Sequence, residues 1–378
     1  MSIGVAMAAA ERRSAREIRT FQTLNGLRGV AAFGVAIGHG RFLAGQQPMA
    51  EFSECYLAVD FFFVLSGFIL AHAYGARLAQ GLGVGRFMAL RLVRLYPLYG
   101  LALLCSFGLA ALQGFRSALG VPLLPVDALA ALLMLPDPHW GVPLYPLNIS
   151  DLLYPLNVPA WSLFFELVAN AVLALFWRRL SPAVLAALAS LSGLALAVAV
   201  ERHWLGFGTQ ADAFNAGALW SSFGGGLARV VYSFFAGVLV FQLWQRRPPR
   251  LRVPPAMFLL LLAAMLAVVP PRAMQEVYDL AATLIVFPTM VYLGASSLPG
   301  RFGARLFAWL GGISYGVYVL QQAYYATIQA AQNGVPLSAA EAALAIALLL
   351  PLTTLADLAF DRPIRRVLGR LVAGGKAA

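Results

Sequence analysis

The sequence predicts an all-α, polytopic membrane protein with about ten transmembrane helices and both termini in the cytoplasm. Three observations carry that prediction. Of the 378 residues, 61% are hydrophobic and 11% charged, whereas soluble domains carry about a quarter charged residues; the mean hydropathy is +0.77. Ten apolar stretches are long enough to span a bilayer, and basic residues gather on alternate sides of them.

The spans are expected at 24–43, 56–75, 95–115, 157–177, 182–200, 229–245, 254–271, 277–295, 308–331 and 340–360, each bounded by charge or by Pro and Gly. A further apolar stretch, Val126 to Leu135, lies between Pro122, Pro125 and Pro136. It has half the length of a crossing and reads as re-entrant or interfacial. With the N-terminus inside and ten spans, 21 of the 27 basic residues fall on the inner side. Arg41, Arg116, Arg202, Arg229 and Arg272 fall outside or at outer ends, and Arg28 falls within the membrane. An eleventh span would spoil that separation.

The same rule accounts for the net charge of +11, so no nucleic-acid partner is implied. Cys55 and Cys105 cannot form a disulfide framework and read as small hydrophobes beside apolar runs. The first 20 residues hold ERRSAREIR and no apolar core with a cleavage site, so no removable signal peptide is expected. No internal repeat or low-complexity linker divides the chain. The expected organisation is a single membrane domain over 1–360 and a short basic cytoplasmic tail over 361–378.

Polar residues at membrane depth are the candidates for function. LNGLRGVAAFGVAIGHGRF, Leu24 to Phe42, is apolar apart from Arg28 and His39. Eleven positions bring a helix back to within roughly 20° of one azimuth after a rise of about 16 Å, so the two share a face. A central Arg costs about 2.5–3.5 kcal/mol on insertion scales, which favours an interior facing other helices; snorkelling of both residues to opposite interfaces is the plain alternative. Asp60 lies at the outer end of the next helix at a depth similar to His39, where it can orient the imidazole or sit in interfacial water. Glu166, with Asn170 one turn on, lies near the midplane as a functional carboxylate or a structural partner for a buried Arg. Arg91 and Arg94 lie one turn apart on an amphipathic segment that Pro97 leads into the third span. With Arg86 they can hold a phosphorylated ligand in bidentate fashion or simply fix topology. His72, His139 and His203 are not spaced with Cys or carboxylates as a metal set, and neither HExxH nor a G-x-S-x-G elbow is present.

Six of these stretches, in order along 21–366, resemble motifs of the acyltransferase family 3 integral membrane O-acyltransferases. LNGLRGVAAFGVAIGHG resembles the first-helix motif, a basic residue and a His eleven positions on, carried by Arg28 and His39. YLAVDFFFVLSGFIL resembles the second-helix motif, with Asp60, Phe62, Phe63, Ser66 and Gly67. RFMALRLVRLYPLY resembles the R-x-x-R element, with Arg91, Arg94 and Pro97. PAWSLFFELVAN resembles W-[ST]-L-x-x-E, with Trp161, Ser162 and Glu166. ISYGVYVLQQ resembles S-Y-x-x-Y-L-x-H, with Ser314, Tyr315 and Tyr318, and FDRPIRR resembles the terminal E-x-P-x-R element. Gln321 departs from the family's His, and Asp361 from its Glu.

The resemblance implies a multi-pass enzyme of the bacterial inner membrane. It would move an acyl, in the first instance acetyl, group from cytoplasmic acyl-CoA to a hydroxyl of a saccharide or lipid-linked glycan. Acyl-CoA is then a co-substrate, no cofactor or metal is expected, and membrane lipids are the remaining partners. His39 is the expected general base or acyl carrier, with Asp60 and Glu166 as the other catalytic candidates. Arg28, Arg91 and Arg94 are expected to bind the donor, supported by Ser66, Trp161, Ser162, Tyr315 and Tyr318. The rival reading is a proton-coupled transporter or flippase using Arg28, His39 and Glu166.

Overall fold

In the computed structural model, which describes residues 21–45, 53–114, 125–138, 151–207 and 214–372, all ten predicted stretches lie on helices. They are α1 (Gln22–Gly40), α2 (Leu57–Ala79), α3 (Val84–Leu112), α5 (Ala160–Phe176), α6 (Pro182–Glu201), α7 (Phe223–Arg246), α8 (Pro255–Ala267), the run α9 (Gln275–Ala281) to α10 (Phe287–Gly294), α11 (Arg301–Ala331) and α12 (Ala339–Ala356). The Pro-flanked stretch forms only the short α4 (Pro125–Leu132), too short to cross at 1.5 Å per residue. Among the described residues there is no strand, only one isolated bridge between Leu152 and Leu219. The N-terminal basic run, Arg116, His139 and Lys376 lie outside the described residues.

Local chemistry sets several helix ends. Ser181 caps α6 by accepting from the Val184 N–H, with Pro182 in the first turn. Ser338 and Glu341 form a reciprocal capping box on α12. Among the described residues, seven helices are long and apolar enough to cross a membrane: Glu54–Ala79, Val84–Leu112, Ala160–Arg179, Pro182–Glu201, Trp220–Arg246, Arg272–Gly294 and Ala339–Val372. Of the other three expected spans, α8 has 13 residues, and α1 and α11 carry polar side chains along their length. Leu191 and Leu194 of α6 and Leu344 and Leu348 of α12 are exposed, an apolar surface suited to lipid.

One expectation about a boundary differs from the structure. Pro97 does not lead a separate segment into the third span: it sits inside one continuous helix, so Arg91 and Arg94 belong to α3. Tyr315 of α11 donates to the Leu95 carbonyl of this helix at 2.7 Å. Within the segment read as a basic tail, residues 361–372 are helical. A π-turn over Asp357–Asp361 continues α12 into α13 (Arg362–Val372), and Asp361 is buried.

Two crossings at small residues organise the interior. A methyl group on Gly67 would overlap the Phe234 carbonyl oxygen, and one on Gly237 the Val64 carbonyl oxygen, so α2 and α7 meet backbone to backbone. Asp60 faces Arg229 at one end of this crossing, and Phe68 meets Phe241 and Trp244 at the other; the helices therefore run in the same direction. α1 and α11 also run alike, with Gly26 on Phe307, Gly29 on Leu310 and Ala36 bonded through its carbonyl to Tyr325.

Candidate active site

Between α1, α2, α3, α5 and α11 lies a cavity of about 150 Å³. Apolar side chains of α2, including Phe62, Leu65 and Ile69, form much of its wall, while Arg28, Arg91, Arg94 and Glu166 supply charge and Ser66, Ser162, Tyr315 and Tyr318 supply hydroxyls. Residues spread over nearly 300 positions are brought together because each sits on the inner stripe of its own helix. Glu166 accepts from Arg91 at 2.9 Å and from the Ser66 hydroxyl at 2.6 Å. With the Asn170 carboxamide turned to satisfy both its ends, it donates to the Glu166 carbonyl at 3.1 Å and accepts from Arg91 Nε at 3.2 Å. Arg91 is thus clamped between two residues one turn apart on α5. Arg94 stands 3.8 Å from Asp361 and 6.0 Å from the centre of the Tyr315 ring. Arg28 donates to the Gly311 carbonyl, and its Nε is buried without a partner.

Of the supporting residues, the Ser162 and Tyr318 hydroxyls lie 2.8 Å apart and both stand within reach of the Pro159 carbonyl, at 3.1 and 3.2 Å; with one proton each, one donates to its neighbour and the other to the carbonyl. Trp161 does not line the cavity; it packs under Arg229 at 5.5 Å. Arg86 is exposed and does not line it either.

The expected pairing of Asp60 with His39 is corrected. Asp60 is fully buried and takes Arg229, which reaches it through Nη2 at 2.7 Å and Nε at 3.2 Å. The same guanidinium donates to the carbonyls of Ala216 and Tyr56 and lies 5.1 Å from the Phe214 ring. The physical reason is the α2–α7 crossing, which sets Arg229 and Ser233, one turn apart, opposite Asp60. The Asp60 carboxylate is thus enclosed by a bidentate guanidinium and has no imidazole as hydrogen-bond partner in this structure.

His39 sits near the end of α1 beside the Gln321 side chain, whose Oε1 is buried without a hydrogen bond of proper geometry. Gln321 is fully buried, and its amide nitrogen donates to the Tyr318 carbonyl at 3.0 Å. His39 does not line the cavity. It lies one turn of α11 beyond Tyr318, which does. The expected catalytic trio is therefore dispersed: Glu166 serves Arg91, Asp60 serves Arg229, and His39 meets Gln321.

The acyltransferase domain of the acyltransferase 3 family matches residues 21–359, from the first turn of α1 to the π-turn. This chain belongs to that family. It is similar to "Protein 2 in picA locus" of Rhizobium radiobacter, with 41% identity over 174 residues, covering 42% of this chain and 83% of that protein. No solved structure matches the chain.

This acyltransferase holds site residues that sequence reasoning passed over. Arg229 was counted among outer basic residues, although its spacing of four from Ser233 and eight from Gly237 marks a buried helix face. Asn157, buried just before α5, donates to the Val319 carbonyl at 3.1 Å and ties α5 to α11 beside Tyr318. Arg365 and Asp361 were assigned to the terminal motif but not to the site they flank.

Proposed function

We propose that this multi-pass acyltransferase moves a short acyl group, in the first instance acetyl, from cytoplasmic acyl-CoA to a hydroxyl of a saccharide or lipid-linked glycan in the bacterial inner membrane. The observation that carries this reading is the cavity. Its charged wall of Arg28, Arg91 and Arg94 suits donor phosphates, while its apolar remainder suits a pantetheine arm and not a sugar. The roughly 16 Å helix rise from Arg28 to His39 is shorter than an extended CoA arm, so a donor held at the arginines delivers its thioester toward His39. The imidazole then takes the acceptor's hydroxyl proton as the oxygen attacks the thioester carbonyl, and CoA leaves as the thiol. Gln321 in place of a second imidazole favours this direct route over an acyl-His relay. No cofactor enters the scheme.

The topology proposed with it has ten crossings and both termini cytoplasmic. Parity supports it: α2 and α7 run alike only if an odd number of crossings separates them, as α3, α5 and α6 provide and α4 would spoil. The transport reading drew on unexplained buried charge, and the Arg91–Glu166 pair now accounts for part of it.

His39→Gln tests the chemistry. It keeps hydrogen-bonding shape and removes the proton transfer, so transfer from labelled acetyl-CoA should fall by at least the 10²–10⁴-fold typical of lost acid–base catalysis, with donor binding retained. An active His39→Gln enzyme defeats the mechanism, and failure of the wild-type protein to bind acyl-CoA defeats the function.

A further inference from the structure

The charges around the cavity do not balance. Arg91 is matched by Glu166 at 2.9 Å. Beyond the wall, Asp361 is shared between Arg365 at 2.6 Å and Arg94 at 3.8 Å, and Asp357 between Arg362 at 2.7 Å and Arg365 at 3.3 Å. Arg28 has no carboxylate partner among the described residues. Five guanidiniums thus face three carboxylates, and Arg28 and Arg94 each lie within electrostatic reach of Arg91, Arg365 and one another. Two positive charges remain over, in surroundings where like charges repel more strongly than in water.

The ion pairs that hold Arg365 are also unfinished. Both Asp361 oxygens and Arg365 Nε are buried without a hydrogen bond of proper geometry, although the Arg365–Asp361 contact is short. Asp357 and Asp361 bracket a single π-turn, a feature found often at functional sites. It turns both carboxylates, four residues apart, toward the one side chain of Arg365.

We propose that α13 completes the donor site: Arg365 is a fourth guanidinium for the donor's phosphates, and Asp361 occupies the place of the anion until the donor binds. The ligand chemistry is a phosphate monoester dianion, whose two charges match the two left over; in acyl-CoA this is the terminal 3′-phosphate. The inference rests on the donor reading above. In the bound state Arg94 and Arg365 turn from Asp361 to the phosphate oxygens, with Arg28 and Arg91 behind them. Arg365 is a binding residue in this scheme and takes no part in acyl transfer.

The test uses the full-length protein in phosphatidylcholine nanodiscs, with calorimetric titration of coenzyme A and of 3′-dephospho-coenzyme A. Arg365→Gln should weaken coenzyme A binding about tenfold or more, the worth of one charge-assisted contact, and should weaken the dephospho compound much less. Asp361→Asn separates binding from scaffolding. With the competing carboxylate neutralised, coenzyme A should bind as tightly as to wild type or tighter, whereas a purely structural strut would weaken in both variants alike. Equal affinity of Arg365→Gln and wild type for coenzyme A overturns the inference and leaves the donor reading intact. So does equal weakening by Arg365→Gln and Asp361→Asn. Wild-type protein that binds neither compound overturns both.

Discussion

The Asp60–Arg229 pair yields the sharpest stability prediction, because both partners have no exposed surface. Asp60→Ala leaves a guanidinium enclosed by Trp161, Phe214 and two backbone carbonyls with no counter-charge. Breaking a buried pair from one side costs about 3–5 kcal/mol, a large fraction of the about 5–15 kcal/mol that holds a typical domain folded. Adding Arg229→Met removes the orphaned charge and keeps a side chain of similar reach. What then remains is the loss of donors to the Tyr56 and Ala216 carbonyls, about 1–3 kcal/mol. The double variant should therefore be more stable than Asp60→Ala although it carries one change more. Unfolding in mixed micelles of mild detergent and SDS measures the order directly, and acyl transfer per folded molecule gives the functional arm. If Asp60 is an anchor, the double variant keeps activity within about tenfold of wild type. A double variant that is stable but loses 10² or more would refute the anchor and return Asp60 to the chemistry. One less stable than Asp60→Ala would refute the electrostatic account itself.

Arg94→Ala should raise the donor requirement about tenfold or more and leave the acceptor requirement unchanged; steady-state kinetics with each substrate varied checks this. Arg91→Ala should behave likewise and also destabilise the fold by stranding Glu166, so that adding Glu166→Gln restores stability without restoring donor affinity. Gly67→Ala should cost at least the about 1–3 kcal/mol of an overpacked core, because the added methyl meets a backbone carbonyl that cannot rotate away, whereas Gly108→Ala, with open space around it, should be neutral in the same unfolding assay. For topology, Arg202→Cys should be labelled by an impermeant maleimide from outside and Arg247→Cys only after the membrane is opened; labelling of both from one side would overturn the ten-crossing arrangement.

Why these were predictions from structure and not from sequence is clearest at Asp60. Topology turns position along the chain into depth, and Asp60 lies at the same end of the α2–α7 crossing as Arg229. Azimuth is another matter. Which faces of two helices meet is decided by contacts such as Gly67 on Phe234, between residues far apart in sequence, and no local pattern reports them. The residues that line the cavity came together because each sits on a helix face marked by its own polar residue among apolar ones, a pattern the chain displays openly in Arg28, Ser66, Glu166 and Tyr318. Arg229 displayed it too, but a tally of charge by loops filed it with the outer basic residues. Electrostatics could have chosen between the rivals. Of two partners at one depth, a buried carboxylate gains more from a permanently charged, forked guanidinium than from an imidazole that is neutral near pH 7. A buried Arg, for its part, cannot shed its proton to escape the desolvation of its charge. The guanidinium therefore claims the carboxylate, and the imidazole of His39 stands instead beside a neutral amide, that of Gln321.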